Sequence, residues 1–258
     1  MEQRIAIITG ASSGIGKATA MRLAEKGYRM ILTGRDQNKL VAVSRAITQA
    51  EGNEKLCKLV VGDILDIGIA NECIKASQQE WGLLPDIFIA CAGRGLPGNL
   101  ITSDILQWDD LIDINFKGLL YQLRSITSSM VERITETYDF IQHPLDIVVI
   151  GSSIGRNVSP FNPVYGATKF AVHGITEALR RDVGPKGIRV SLIEPGIVST
   201  NFQKSGGYSM DWFTNYEREI GPILVADDVA QVISFLLSLP GNVNLDNISI
   251  RPTRQSYP

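Results

Sequence analysis

Seven short runs of apolar, largely β-branched residues recur along the chain: Arg4–Thr9, Arg29–Thr33, Lys55–Val61, Ile87–Cys91, Asp146–Ile150, Arg189–Ile193 and Asn247–Ile250. Successive positions are apolar, not alternate ones, which is the pattern of parallel strands covered on both faces. Between them the period changes to that of amphipathic helices, over Gly14–Lys26, Asn38–Glu51, Ile67–Trp81, Ser103–Asn115, Gly118–Thr137, Val164–Val183 and Ala226–Ser238. In the first, Ile15, Ala18, Met21, Leu23 and Ala24 supply the apolar face and Gly27 stops the helix. Asp227 and Asp228 open the last, where the helix dipole favours acids. The alternation predicts an α/β fold, a single doubly wound parallel sheet of about seven strands with helices on both faces, in one domain over residues 1–258.

Two stretches break the alternation. Glu136–Pro144 lengthens the approach to the fifth strand and carries Tyr138, Phe140 and His143. Residues 201–222 separate the sixth strand from the last helix and hold Gly206, Gly207, Tyr208, Met210, Trp212, Phe213 and Tyr216. Long connections in compact domains are commonly lids or binding loops. The second follows a strand's carboxyl end, where ligands bind in such sheets, and is expected to be a substrate lid.

Composition narrows the class. The net charge is −2, from 25 basic and 27 acidic residues, so no basic excess exists to grip a phosphate backbone and nucleic acid is not an expected partner. Cys57, Cys73 and Cys91 are scattered, as reduced thiols of a cytoplasmic protein would be. The run that follows Met1-Glu2-Gln3-Arg4 is too short for a signal core, and no later run reaches membrane length. His143 and His173 are too few and too far apart for a metal site; neither is assigned a role, although His173 continues the face of Lys169 by one turn.

Between the first strand and first helix lies Thr9-Gly10-Ala11-Ser12-Ser13-Gly14-Ile15-Gly16. Gly10 permits a tight turn, Gly14 lets backbone approach a pyrophosphate, and Gly16 lets the helix pack close to the sheet. This strand–turn–helix context predicts a dinucleotide-binding (Rossmann) site, with Gly10, Ser12, Ser13, Gly14, Ile15 and Gly16 as contacts. The second strand ends Leu32-Thr33-Gly34-Arg35. Gly34 stands where an NAD site places its acid, and the Arg35 guanidinium suits a 2′-phosphate, so NADP(H) is the expected cofactor. Asp36 is the counter-argument, because turned inward it could serve NAD.

The fifth strand ends Ile150-Gly151-Ser152-Ser153-Ile154-Gly155, and thirteen residues after Ser152 comes Tyr165-Gly166-Ala167-Thr168-Lys169. With the glycine turn, this set resembles the short-chain dehydrogenase/reductase family over essentially the whole chain. Tyr165 and Lys169, four apart, share one helix face. A nearby ammonium favours the phenolate, which would lower the Tyr165 pKa and let it exchange a proton with an alcohol or carbonyl oxygen. Ser152 would hydrogen-bond the same oxygen; its spacing to Tyr165 and to Gly155 favours it over Ser153. The resemblance implies that Lys169 also holds the nicotinamide ribose, and that Asn115 holds a water in a proton relay ending at Lys169. It further implies that Asp63 and Ile64 contact the adenine and that Pro195-Gly196-Ile197-Val198-Ser199-Thr200, chiefly Pro195, Gly196, Val198 and Thr200, contacts the carboxamide. Asp63 could equally cap a helix. Cys91-Ala92-Gly93 stands where the family usually has Asn-Ala-Gly, and the resemblance implies that these three residues and Tyr165 also contact the cofactor; Cys91 is read as a small buried side chain.

Within the family, Asn162–Lys169, Leu239–Asp246 and Arg251–Tyr257 resemble bacterial NADP-dependent 3-hydroxy acid dehydrogenases acting on serine and related small acids, while the residues around Glu136–Pro144 depart from them. An acid substrate would want a cation, and Arg94, Arg156 and Lys204 are candidates. The expected function is an NADP(H)-dependent oxidoreductase interconverting a secondary alcohol and a carbonyl. The alternatives are a carbonyl reductase for a bulkier ketone, suggested by the aromatic lid, and a non-catalytic NADP-binding regulator. The resemblance also implies a homotetramer or homodimer built on the helices Gly118–Thr137 and Val164–Val183.

Overall fold

A computed structural model describes residues 3–256; the sequence readings at Met1, Glu2 and Tyr257 lie outside them. Seven strands form one parallel sheet: β1 (Ile5–Thr9), β2 (Arg29–Gly34), β3 (Cys57–Val61), β4 (Ile87–Ala90), β5 (Leu145–Ile150), β6 (Ile188–Pro195) and, last in the chain, Asn247–Ile250. Two intervening two-residue strands, β7 (Val198–Ser199) and β8 (Leu224–Val225), pair separately, so the last strand is β9. The order β3-β2-β1-β4-β5-β6-β9 reverses direction between β1 and β4, the switch point at which such sheets bind their ligands.

Continuous apolar runs make sense for the middle strands. Every residue of β1 and β4 is buried, and so is every residue of β6. The two edge strands differ: β3 and β9 are only partly covered, because each has a neighbour on one side alone. The helices α1 (Gly14–Ala24), α2 (Gln37–Glu51) and, at the end of the chain, Ala226–Leu237 bury one sheet face with Leu23, Leu40 and Ile233. The other face is buried by α3 (Ile69–Trp81), Gly118–Glu132 and Pro163–Val183, through Cys73, Leu123 and Val172. Fully buried Asp146 (1% exposed) is held by Arg189 at 2.7 and 2.9 Å and by Arg4, so three distant segments meet at one carboxylate.

Most predicted elements match within a few residues, with one instructive departure. The expected break between Asn115 and Gly118 is absent. A short helix α4 (Trp108–Ile112) passes through a single wide turn, Asp113–Lys117, directly into α5 (Gly118–Glu132); the Gly118 N–H reaches back five residues to the Asp113 carbonyl. Such wide turns inside helices recur at functional sites, and this one carries Asn115. Helix α6 (Pro163–Val183) starts on a proline, whose missing N–H costs nothing at that position. Residues 201–222 hold α7 (Phe202–Ser205) and α8 (Met210–Ile220), with β7 and β8 closing their base; α9 (Ala226–Leu237) follows.

Candidate active site

The carboxyl ends of β1, β4, β5 and β6 lie side by side along one edge of the parallel sheet. At β1 the turn predicted from the glycines is formed, with Gly10 at φ 64° and Gly14 at φ 51°, the left-handed region. A Cβ on Gly16 would stand 2.4 Å from the Gly10 carbonyl oxygen, so α1 can approach the turn only without a side chain there. Ser13 makes no side-chain cap and the first turn of α1 holds no acid, which suits an anion at this helix end. Thr200 lies over Gly14, where a Cβ would meet it at 3.6 Å. On the far side, the backbone N–H groups of Cys91 and Ala92 both donate to Thr9 Oγ1 at 3.2 Å, so Thr9 ties the centre of the sheet together. Cys91 is half-buried and Gly93 is backed by Asn115 Oδ1.

The neighbourhood of β2 fits a 2′-phosphate. Asp36 is turned away: it accepts the Lys39 N–H at 3.1 Å as the N-cap of α2 and pairs with the Lys39 ammonium at 3.0 Å. Arg35 is left exposed beside Gly34, 3.7 Å from Asp63. Asp63 does not cap α3, whose N-cap is Gly68; it accepts the Leu65 N–H within its own loop. Ile64 turns inward, its carbonyl accepting from Gln122 at 3.1 Å. At the opposite end, Pro195 ends β6, the Gly196 N–H donates to the Ile250 carbonyl and the Ile197 N–H to Gln255 Oε1. A Cβ on Gly196 would collide with that glutamine at 2.4 Å. Val198, in β7, is buried and its carbonyl accepts from Gln203.

Helix α6 delivers Tyr165 and Lys169 side by side, both more than nine-tenths buried. Lys169 Nζ donates to the Ile150 carbonyl at 2.9 Å and stands 5.9 Å from the centre of the Tyr165 ring. Ser152 lies near enough to the Tyr165 phenol to favour its phenolate, and Ser153 is buried. The expectation that Lys169 depresses the Tyr165 pKa is not met here. Burial penalises both charged forms, so Tyr165 is pushed up, and the nearby Ser152 hydroxyl offsets this only in part. Burial likewise pushes Lys169 down to about 8.

Asn115 is also present, but its amide is already engaged. Oδ1 accepts the Arg94 N–H at 2.8 Å, and Nδ2 donates to the Arg94 carbonyl at 2.8 Å and to Thr168 Oγ1 at 3.1 Å. Asn115 thus joins the segment after β4 to α6. Over Tyr165 sits Phe202, edge-on at 5.8 Å, with Tyr208 stacked on Phe202 at 6.2 Å. Gly95 makes room for both: a Cβ there would lie 2.7 Å from each ring. Asn162 Nδ2 donates to the Tyr208 hydroxyl at 3.2 Å.

Two of the three candidate substrate cations are engaged elsewhere. Arg94 pairs with Asp110 and Gln107, Arg156 grips buried Glu194 with two hydrogen bonds, and Lys204 lies exposed on α7. Sequence reasoning missed Thr9, Thr168, Glu194 and Gln255. Thr9 and Thr168 stand inside the sequence motifs and Glu194 and Gln255 outside them, but the contacts that matter, such as Thr9 to Cys91 and Glu194 to Arg156, join residues distant in the chain.

These features have close counterparts among known proteins. A model of the short chain dehydrogenase family matches residues 4–209. An uncharacterized oxidoreductase of Staphylococcus aureus (strain MW2) is 32% identical over 252 residues, 98% of each chain. The closed form of a serine dehydrogenase in complex with NADP+ superposes with a TM-score of 0.84 at 28% identity, over 98% of this chain and 96% of that one. The Escherichia coli serine dehydrogenase superposes with a TM-score of 0.77 at 27% identity, over 98% of this chain and all of the other. The match to the family model spans both the phosphate turn and the Ser152–Tyr165–Lys169 site, and the chain belongs to the short-chain dehydrogenase family of oxidoreductases.

Proposed function

We propose that this protein is an NADP(H)-dependent oxidoreductase interconverting a secondary alcohol and a carbonyl. The carrying observation is the convergence of Ser152, Tyr165 and Lys169, all buried, beside an uncapped helix end framed by glycines. NADPH, when bound, supplies the hydride. Gly10, Ser12, Ser13, Gly14, Ile15 and Gly16 would hold its pyrophosphate, Arg35 its 2′-phosphate, and Lys169 its nicotinamide ribose. The exposed Arg35, with Asp36 spent as a cap, supports NADP over NAD.

In the reductive direction Tyr165 would be the proton donor. A phenol that keeps its proton can deliver it to the oxygen of a carbonyl as that oxygen becomes an alkoxide. Ser152 would donate to the same oxygen and stabilise its developing charge.

The likeness to serine dehydrogenase supports a small 3-hydroxy acid substrate. The pairing of Arg94 and Arg156, and a wall made of Leu96, Ile154, Phe202 and Tyr208, favour a bulkier neutral ketone instead. Residues 201–222 serve as its lid, with Phe202 and Tyr208 closing over Tyr165. The apolar groove between Ile112, Phe116, Val164 and Ala171 supports a homo-oligomer built on this face.

The test is NADPH absorbance against a panel of neutral aryl ketones, aliphatic ketones and 3-oxo acids, run beside Tyr165→Phe. Turnover of ketones alone supports the neutral-substrate reading. Turnover of acids, with a KM raised by Arg156→Ala or Arg94→Ala, would return the acid reading. Full turnover by Tyr165→Phe would leave a non-catalytic NADP-binding role.

A further inference from the structure

Beneath the loop that carries Ser152 runs a line of three side chains that the reaction described above does not use. Glu194, the residue before Pro195 in β6, has no exposed surface. A bare carboxylate there would be prohibitively costly, and Arg156 covers it with a fork, Nε to Oε2 at 2.9 Å and Nη2 to Oε1 at 2.5 Å. The same Oε1 faces His173 Nδ1 at 3.9 Å. The other ring nitrogen, Nε2, accepts the backbone N–H of Ser152 at 3.3 Å.

An accepting ring nitrogen carries no proton. The neutral imidazole therefore keeps its proton on Nδ1, on the side of the Glu194 carboxylate. Burial pushes His173 down to about 4, so the ring is neutral at every pH at which the enzyme would work. Space for it is made by two glycines: a Cβ on Gly151 would stand 2.5 Å from Nε2, and one on Gly155 would stand 2.3 Å away. Both belong to the Ser152 loop. Any side chain at either would displace the ring or the loop.

The line joins three parts of the site. His173 lies one turn beyond Lys169 on α6, Glu194 immediately precedes Pro195 and Gly196, and Arg156 follows the Ser152 loop. Ser152 has a second local anchor, since its Oγ accepts the Ile154 N–H at 3.3 Å. That anchor belongs to the loop itself and cannot fix the loop against the helix. His173 can, because it stands on the helix that presents Tyr165.

We infer that His173, held in a single tautomer by Glu194 and Arg156, is a positioning residue that sets Ser152 against Tyr165. This rests on the reading of Ser152 and Tyr165 as the reacting pair. The effect of His173 passes through the Ser152 backbone, whose N–H it accepts. A misplacement of the order of 1 Å at a reacting group can cost about 100-fold, so the anchor matters to rate more than to binding.

The experiment is a double-mutant cycle on the full chain, with Ser152→Ala as background and the fastest carbonyl of the panel above as substrate. His173→Phe removes the acceptor and keeps a ring; His173→Gln returns an oxygen acceptor at about the reach of Nε2. Expected is a fall in kcat of about 10- to 100-fold for His173→Phe, with NADPH affinity by fluorescence within twofold of wild type. His173→Gln should recover most of that loss. In the Ser152→Ala background, His173→Phe should cost less than a further twofold, because residues acting as a unit are strongly non-additive. Equal loss in both backgrounds, equal loss for Phe and Gln, or no loss overturns the inference.

Two further measurements do not depend on His173→Phe folding. Glu194→Gln should lower kcat in the wild-type background and leave Ser152→Ala unchanged. Long-range 1H–15N spectra of the wild-type protein should give His173 as the Nδ1-protonated tautomer down to about pH 5, and the Nε2-protonated form would overturn the inference without any turnover. The two readings also fail separately. If Ser152→Ala turns over like wild type, Ser152 is not a reacting group and both fall; if Ser152→Ala is slow but the cycle is additive, only the positioning role falls.

Discussion

Replacing Asn115 with Leu separates two roles that the family resemblance merges. The side chain is 3% exposed and makes three hydrogen bonds, two of them to the backbone N–H and carbonyl of Arg94. Leucine is nearly the same size, so no large cavity forms. It does leave both Arg94 groups without a partner, at about 1–3 kcal/mol each. Some of this is offset by the added apolar burial, which leaves a net loss of about 3 kcal/mol. At about 2–4 °C per kcal/mol for a chain of this size, the melting temperature should fall by about 6–12 °C. The assay is scanning calorimetry beside urea unfolding, where the midpoint should drop and the slope stay fixed. Turnover should fall too, because α6, which carries Lys169, loses the bond from Asn115 to Thr168 that ties it to the segment after β4. Lost turnover with a melting temperature within about 2 °C of wild type would refute this reasoning. Asn115 would then act on the chemistry directly, as the water-holding role implied by the resemblance requires.

Four further outcomes are expected. Tyr165→Phe should lower turnover by about 1,000-fold and leave NADPH fluorescence titrations unchanged; a loss below about tenfold would remove Tyr165 as the proton donor. Arg35→Ala should weaken NADPH by about tenfold and leave NADH untouched, and equal weakening of both would mean that Arg35 does not read the 2′-phosphate. Lys169, pushed down to about 8, is charged below that pH and neutral above it. The kcat/KM for NADPH should therefore decline as pH rises through about 8, and a flat profile to pH 9.5 would show that the ammonium is not required. Asp146→Asn leaves Arg4 and Arg189 facing a neutral amide in a buried site, and should cost about 3 kcal/mol in urea unfolding while the remaining folded enzyme keeps its turnover.

The sheet was readable because a strand covered on both faces shows an unbroken apolar run, as in Ile5–Thr9 and Ile87–Ala90. Boundaries failed where a local rule met a longer-range one. Gly118 reads as a helix break, yet the chain continues through the wide turn Asp113–Lys117 into α5, and the glycine is there because Ile64 packs against it, where a Cβ would lie 2.9 Å from that side chain. β7 and β8, two residues each, are too short to show any period. The acid/base set was legible because its spacing lies within one segment. The states of its members were not. Burial, which no local pattern encodes, reverses the expected direction for Tyr165. Arg94 and Arg156 read as loop cations near a ligand, and only the fold reveals Asp110 and Glu194 opposite them.

The carboxylate of Asp146 bears on how the chain reaches this state. Its partners lie 142 residues before it and 43 after it, and Arg189 also donates to the carbonyls of Leu239, Pro240 and Val243. None of these groups is near another until β1, β4, β5 and β6 have assembled in register. Contacts so distant in sequence make folding slow, since loop closure has to be completed before they contribute. During synthesis, β1 to β4 can pair early, but Asp146 acquires its second arginine only after residue 189 has emerged. Until then the nascent chain carries an unshielded edge at β4 or β5 together with a carboxylate that resists burial. That charge keeps the incomplete edge wet, and so opposes premature pairing with another chain at the stage when the sheet is most vulnerable.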